Sequence, residues 1–323
     1  METFKPKDYD LPDDAVWFIT GCSSGIGLAL AKYIATEQPQ QRIVATARNI
    51  ESLSYSASGL LDVPNVLKLA MDVTSIESIW VAFNTALTHF KRLDVVVNNA
   101  GYNLIGDTEA SPGDNAAARA LFDTNFWGAV DVTKCALKVF RAMNPATGQQ
   151  GGVIVNVTSV GELMDMAGSA FYHASKFALE GFAESVAKEV SPEWNIHFVN
   201  VRPVCVSTNH LTSSLKRMEK RCMAYVGNPN CATNRTLDSL DDVEAHGRFL
   251  EPEEVAKGIY MVVESGEKFP IRVPIRVPLG GVAWDMIQNE VKRMGHDLKE
   301  WWEISHAIGD VTGTSESEVS EEE

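Results

Sequence analysis

The sequence predicts an α/β fold in which a doubly wound, parallel, seven-stranded sheet is covered by helices on both faces. Three observations carry this expectation. Short β-branched runs alternate with helix-length amphipathic segments from Ala15 onward, the pattern of strand–crossover–strand units. The first run leads directly into a glycine-rich turn, Gly21-Cys22-Ser23-Ser24-Gly25-Ile26-Gly27, and then a helical pattern. The chemically suggestive side chains fall at strand ends or on the helix just after, the edge where parallel sheets bind ligands.

Taken in order, Ala15–Thr20 reads as a buried strand and Leu28–Gln38 as the helix behind its turn. Strands follow at Arg42–Ala47, at Val66–Met71 (ending in Asp72 and Val73) and at Leu93–Val97, which runs into Asn98-Asn99-Ala100-Gly101. A long helix over Thr124–Met143 carries Asn125 in its first turn. Gly151–Thr158 is the next strand, the helix of Tyr172 follows, and Ile196–Val201 runs into Arg202-Pro203. The tandem IRVP of Pro270–Pro278 supplies a seventh strand, which its prolines confine to an edge or a strand end. Residues 1–14 are an extension, 15–308 a single domain, and 309–323 a disordered acidic tail. Within the domain, 209–250 is an insertion expected to act as a substrate lid, with His210–Val226 helical and Asn228–Asp242 loop. Leu211, Met223 and Tyr225 are its candidates for reaching a substrate. Residues 283–308 form one or two amphipathic helices whose Trp284, Trp301 and Trp302 pack on the domain or on a partner subunit.

The glycine turn suits a phosphate. Glycines let the chain turn tightly and let a pyrophosphate approach the backbone, while the helix start offers free N–H groups and a positive dipole end. In dinucleotide folds an acid about 20 residues further on binds the ribose 2′-hydroxyl, whereas an arginine accommodates a 2′-phosphate. Here that place holds Ala47 followed by Arg48, so NADP(H) is expected.

Ser159 ends a strand, and Tyr172 and Lys176 open the next helix four residues apart, on one face. A phenol loses its proton near pH 10, and a neighbouring ammonium favours the phenolate. A tyrosine able to exchange a proton beside a serine hydroxyl suits carbonyl–alcohol chemistry. Apolar Leu163, Met164, Met166 and Phe171 between them suit a hydrophobic substrate.

With 45% hydrophobic and 22% charged residues in a chain of 323, the composition is that of a soluble globular protein. A net charge of −15 gives no electrostatic reason to bind nucleic acid or an anionic membrane. The amino-terminal residues carry no apolar signal segment and the apolar runs are strand-length. Five scattered cysteines without a C-x-x-C pair fit reduced thiols, so a cytoplasmic protein is expected.

Five motifs together, Thr20–Gly27, Asp72-Val73, Asn98–Gly101 with Asn125, Ser159, and Tyr172-His173-Ala174-Ser175-Lys176, resemble those of the short-chain dehydrogenase/reductase family over residues 15–208. The thirteen-residue step from Ser159 to Tyr172 is also similar to the family's. The resemblance implies a Rossmann-like domain and a catalytic set of Asn125, Ser159, Tyr172 and Lys176. In it Tyr172 would be the general acid in reduction and Lys176 would lower its pKa and hold the nicotinamide ribose. Ser159 would polarise the carbonyl, and Asn125 would help hold a water that relays protons to Lys176. Gly21, Ser23, Ser24, Gly25, Ile26 and Gly27 would hold the pyrophosphate. Arg48 would take the 2′-phosphate, and Asp72 with Val73 would meet the adenine. Asn98, Ala100 and Gly101 would shape the floor by the ribose, and Pro203, Val206 and Thr208 would meet the nicotinamide amide and phosphate. Val204 stands where the family usually has glycine, which forbids easy positive φ and adds bulk.

The implied activity is NADPH-dependent reduction of a hydrophobic ketone or aldehyde, similar to fungal-type carbonyl reductases and the steroid 17-beta- and retinol dehydrogenase branch. The alternatives are the oxidative, NADP+-dependent direction and a non-catalytic NADP(H) sensor. A homodimer or homotetramer on the helices bearing Trp127, Phe140, Phe177 and Phe182 is also implied.

Overall fold

The computed structural model describes residues 9–161, 166–204, 206, 214–241, 249–264 and 275–308. The leading element is β1 (Val16–Ile19), flanked by β2 (Arg42–Ala47) and β4 (Val95–Asn98), with β3 (Val66–Ala70) at one edge. Beyond β4 lie β6 (Gly152–Val157), β7 (Ile196–Pro203) and β9 (Ile275–Leu279), giving the order β3-β2-β1-β4-β6-β7-β9. Every pairing in this sheet is parallel. The Rossmann-like, seven-stranded sheet expected from the sequence is present, and the second IRVP forms its last strand.

Alternation along the strands assigns side chains to two cores. Trp17 and Ile19 pack against α1 (Gly25–Glu37) and α8 (Pro252–Glu264) through Leu30, Ile34 and Ile259. Phe18, Ile154 and Phe198 face the other layer, built by α3 (Ile76–Phe90), α5 (Gly128–Ala142) and α6 (Ala170–Glu189). Buried polar groups are matched across these layers: the Trp17 indole donates to Gln41 at 2.6 Å, and Gln41 donates to the Tyr260 hydroxyl at 3.0 Å. No helix among the described residues is long and apolar enough to cross a membrane.

The structure corrects the expected insertion. Leu215–Arg217, expected as helix, is instead strand β8, parallel to β5 (Asn103–Ile105) in a small second sheet. Conversely Ala232–Asp241, expected as loop, is helix α7. Long-range partners override local pattern here. The buried Asp107 carboxylate takes the Arg221 guanidinium and the Cys222 N–H. Arg221 also reaches Asn234, whose amide donates to the Tyr225 and Asn228 carbonyls at 2.8 Å each. Helix α4 (Ala116–Phe122) was not anticipated. Thr208, Leu211, Leu163, Met164, the first IRVP and the acidic tail lie outside the described residues.

At the carboxyl end, α9 (Gly281–Glu300) and α10 (Trp302–Ala307) continue past the sheet. Trp284, Trp301 and Trp302 are each more than half exposed, so none is buried against the domain. Phe140 is core and Phe182 packs against the same cluster, whereas Trp127, just before α5, and Phe177 of α6 remain half exposed.

Helix α6 is tied to β7 by charge. Glu180 and Arg202 are both buried and joined by a two-pronged ion pair, with Arg276 of β9 adding a contact to Glu180 at 3.3 Å. Removing one partner of a buried pair strands the other charge. Glu180→Ala should therefore lose about 3–5 kcal/mol of stability, read as a lower urea midpoint.

Candidate active site

A cavity of about 380 Å³ opens along the carboxyl ends of β1, β2, β4, β6 and β7. Of the expected catalytic set, Ser159, Tyr172 and Lys176 line it, while Asn125 sits behind the wall, fully buried. Lys176 is 6% exposed and donates to the Val157 carbonyl at 2.7 Å. Its ammonium also lies 5.7 Å from the centre of the Tyr172 ring. The i, i+4 spacing on α6 thus delivers the juxtaposition the sequence called for.

Ser159 is oriented by its neighbour. The Gly161 N–H donates to Ser159 Oγ at 2.8 Å. The hydroxyl oxygen is thereby engaged as acceptor, and its own proton is left to donate elsewhere. A Cβ on Gly161 would stand 2.9 Å from Ser159 Oγ and 3.0 Å from His173 Nε2. His173 Nε2 is a buried atom with no hydrogen-bond partner among the described residues, and burial holds the imidazole's pKa below its ordinary value.

Asn125 occupies a π-helical turn, Asp123–Trp127, between α4 and α5, in place of the expected regular first turn. Such turns insert one residue and re-aim a side chain. Its amide donates to the Tyr102 carbonyl at 2.9 Å and to Ser175 Oγ at 3.1 Å, and its oxygen accepts from the Tyr102 N–H at 3.0 Å. Asn125 therefore fastens the loop after β4 to α6 one residue before Lys176.

The other half of the cavity has the shape a dinucleotide requires. Gly21 has φ +73°, and a Cβ there would lie 2.8 Å from Ala100 Cα. Ser24 begins α1 without a side-chain cap, and no acid occupies the first turn, so the helix start offers its N–H groups to a ligand anion. Gly21, Ser23, Ser24, Gly25, Ile26 and Arg48 line this end together with Asp72 and Val73. Asp72 accepts from the Thr74 N–H and hydroxyl at 2.9 and 2.8 Å. Ala100, Gly101, Pro203 and Val206 also line the cavity.

Gly27 and Asn98 do not line it. Gly27 packs its bare Cα against Asn99, and Asn98 is buried in the sheet, donating to Thr133 and Asn156. Val204 faces the cavity without positive φ, so its effect is bulk and not backbone strain. Met166 is on the wall, whereas Phe171 packs with Leu104 and Leu121. Of the insertion candidates, Met223 and Tyr225 stay outside the lining, and Met223 is 82% exposed.

Several lining residues had no signal in the sequence. Leu215 and Lys216 arrive on β8, and Leu240 and Phe249 come from the far end of the insertion. Tyr102 adjoins a recognised motif and His173 lies inside one, and neither carried a role from the sequence.

Fold, glycine turn and the Ser159–Tyr172–Lys176 cluster define a dinucleotide-dependent oxidoreductase class. The family model described as short chain dehydrogenase matches residues 15–219, and the chain belongs to that family. It is 43% identical over 308 residues to "Oxidoreductase calM" of Penicillium decumbens, covering 94% of this chain and 96% of that one. It is 34% identical to "Retinol dehydrogenase 8" of Bos taurus over 263 residues, 80% of this chain and 79% of that one. A crystal structure of a short-chain dehydrogenase from Streptomyces avermitilis superposes with a TM-score of 0.71 at 28% identity, covering 91% of this chain and all of that chain. The protein is accordingly an oxidoreductase of the class that employs a nicotinamide cofactor.

The packing at Gly161 yields a test. Gly161→Ala should displace Ser159 Oγ or the His173 ring and lower kcat about tenfold or more, while leaving the dinucleotide Kd within twofold. An unchanged kcat would show that Ser159 needs no such fixing.

Proposed function

We propose that the protein reduces the ketone or aldehyde of a hydrophobic small molecule to an alcohol, using NADPH. The observation that carries the reading is the convergence of Ser159, Tyr172 and Lys176 on one cavity, with the serine hydroxyl set as a donor by Gly161. The cofactor, when bound, supplies the hydride. Gly21, Ser23, Ser24, Gly25 and Ile26 hold its pyrophosphate, and Lys176 with Ala100 and Gly101 meets the ribose. Pro203 and Val206 flank the nicotinamide.

Ser159 and Tyr172 donate hydrogen bonds to the substrate oxygen as negative charge develops on it. Tyr172 then delivers the proton, and Lys176 stabilises the phenolate left behind. Asn125 keeps the tyrosine–lysine helix in register with the loop beneath it. Arg48 supports NADP(H) over NAD(H), because it lines the cavity just past β2 where an NAD-selective site carries an acid. The four described cysteines are free thiols, which supports a reducing compartment such as the cytoplasm.

The similarity to a protein named retinol dehydrogenase favours a second reading, oxidation of an alcohol at the same site with Tyr172 as base.

Tyr172→Phe should retain NADPH binding and lose at least about 10²-fold in kcat, measured by cofactor absorbance against a panel of hydrophobic ketones and aldehydes. Unchanged turnover would remove the assigned acid. Arg48→Ala should raise the Kd for NADPH about tenfold, a charged hydrogen bond's worth, and that for NADH less than twofold. Equal weakening in fluorescence titrations would show that Arg48 does not read the phosphate.

A further inference from the structure

We propose that the carbonyl compound accepted by this cavity carries, apart from its reactive carbonyl, an acidic group that Lys216 binds. The inference rests on the reductase reading and deepens it by naming a substrate class, hydrophobic oxo acids.

The charge of the cavity is opposite to that of the chain. Across the sequence 43 acids outnumber 28 lysines and arginines. Among the described residues along the cavity the only carboxylate is Asp72, against the cations Arg48, Lys176 and Lys216. Asp72 is occupied by Thr74, Arg48 stands at the cofactor's adenosine end, and Lys176 is buried on the Val157 carbonyl. Lys216 has no such engagement. It forms no ion pair with a carboxylate among the described residues, and its ammonium lies 4.1 Å from the centre of the Tyr102 ring. Its side chain is exposed, so water reaches the ammonium. Here the cation is held over a neutral aromatic face, so its charge stays available.

Lys216 reaches the cavity beside the loop after β4. Strand β8 pairs Leu215 with Asn103 and Lys216 with Leu104, directly after the loop that Asn125 fastens. The Tyr102 ring, in turn, packs in one cluster with Tyr172. The apolar lining of the same cavity includes Met166, Leu215 and Phe249. A carbonyl at Ser159 and Tyr172, an apolar spacer and an anion at Lys216 together describe the ligand. The cation would also draw anions toward a cavity in an otherwise negative protein.

The test compares 3-benzoylpropionate with its methyl ester on the NADPH-loaded protein. The acid should have the higher kcat/KM by about tenfold, with a preference that shrinks as salt is raised. Lys216→Gln should collapse the acid-to-ester ratio toward unity, Lys216→Arg should keep most of it, and the NADPH Kd should move less than twofold in both. If neither probe is reduced, both are compared as inhibitors of whichever ketone is reduced, and in the absence of any turnover as ligands by calorimetry. Equal values for acid and ester, a ratio unmoved by Lys216→Gln, or a tenfold loss of NADPH affinity in that variant would overturn the proposal. Preferential acid binding without reduction of any ketone would count against the reductase reading and uphold the lysine site.

Discussion

The burial of one ammonium group governs the architecture of the site. A charge taken out of water must be repaid by polar contacts, and Lys176, 6% exposed, finds one in the Val157 carbonyl at the end of β6. That contact fixes where α6 crosses the sheet edge, and the helix's own geometry then brings Tyr172 alongside. The loop after β4 must leave room: a Cβ on Gly101 would stand 3.0 Å from Asn125 Oδ1 and 3.6 Å from Lys176 Nζ. The π-helical turn holding Asn125 follows from the same demand, since its amide has to reach both Tyr102 and Ser175. Ion pairing of Glu180 with Arg202 repeats the logic lower on α6, so the helix is located twice by charge.

Beneath the cavity the strand ends are locked laterally. Asn98, Asn156 and Asn200 occupy matching register positions on β4, β6 and β7, all buried. Asn98 donates to Asn156 and Asn156 to Asn200, each at 2.9 Å. Buried amide chains of this kind are stronger in low dielectric than in water and specify one arrangement. They hold the three strands that deliver the loop after β4, Ser159 and Pro203 to the cavity in a fixed relation. Preorganisation of donors is what lets a site stabilise developing charge without rearranging.

Much of this was legible in the sequence because it rests on local rules. Parallel strands buried on both faces read as unbroken apolar runs, a turn followed by an uncapped helix needs glycines at set places, and Tyr172 and Lys176 share a face by helical period. Where local rules compete with distant partners the reading failed. Leu215–Arg217 carries an amphipathic helical pattern, yet it pairs with β5 because Asn103–Ile105 offers an open strand edge. Ala232–Asp241 looked like a loop, yet it is helical, with Asn234 in its first turn bonded to Arg221 and to the Tyr225 and Asn228 carbonyls. Asn125 was recognised as important, but the π-helical turn that aims it leaves no mark in residue spacing. Gly161 and His173 stood beside Ser159 and Tyr172 in plain view, and only the three-dimensional contact gives them a role.

The same division separates chemistry from choice of substrate. Chemistry is carried by strand ends and α6, elements buried in two hydrophobic cores and cross-braced by asparagines and ion pairs. On the proposed reading, choice of substrate falls to Leu215, Lys216, Leu240 and Phe249, which ride on a segment tied to the domain by the Asp107–Arg221–Asn234 contacts and the short β5–β8 pairing. Lining residues on such a segment can vary without disturbing the strand ends beneath them. Val204 belongs to neither side entirely: it stands on the wall between them with ordinary backbone angles, so its side chain narrows the cavity where the rigid half meets the insertion. The proposed function then has its reaction type set by backbone topology and its ligand preference by a few side chains that topology does not dictate.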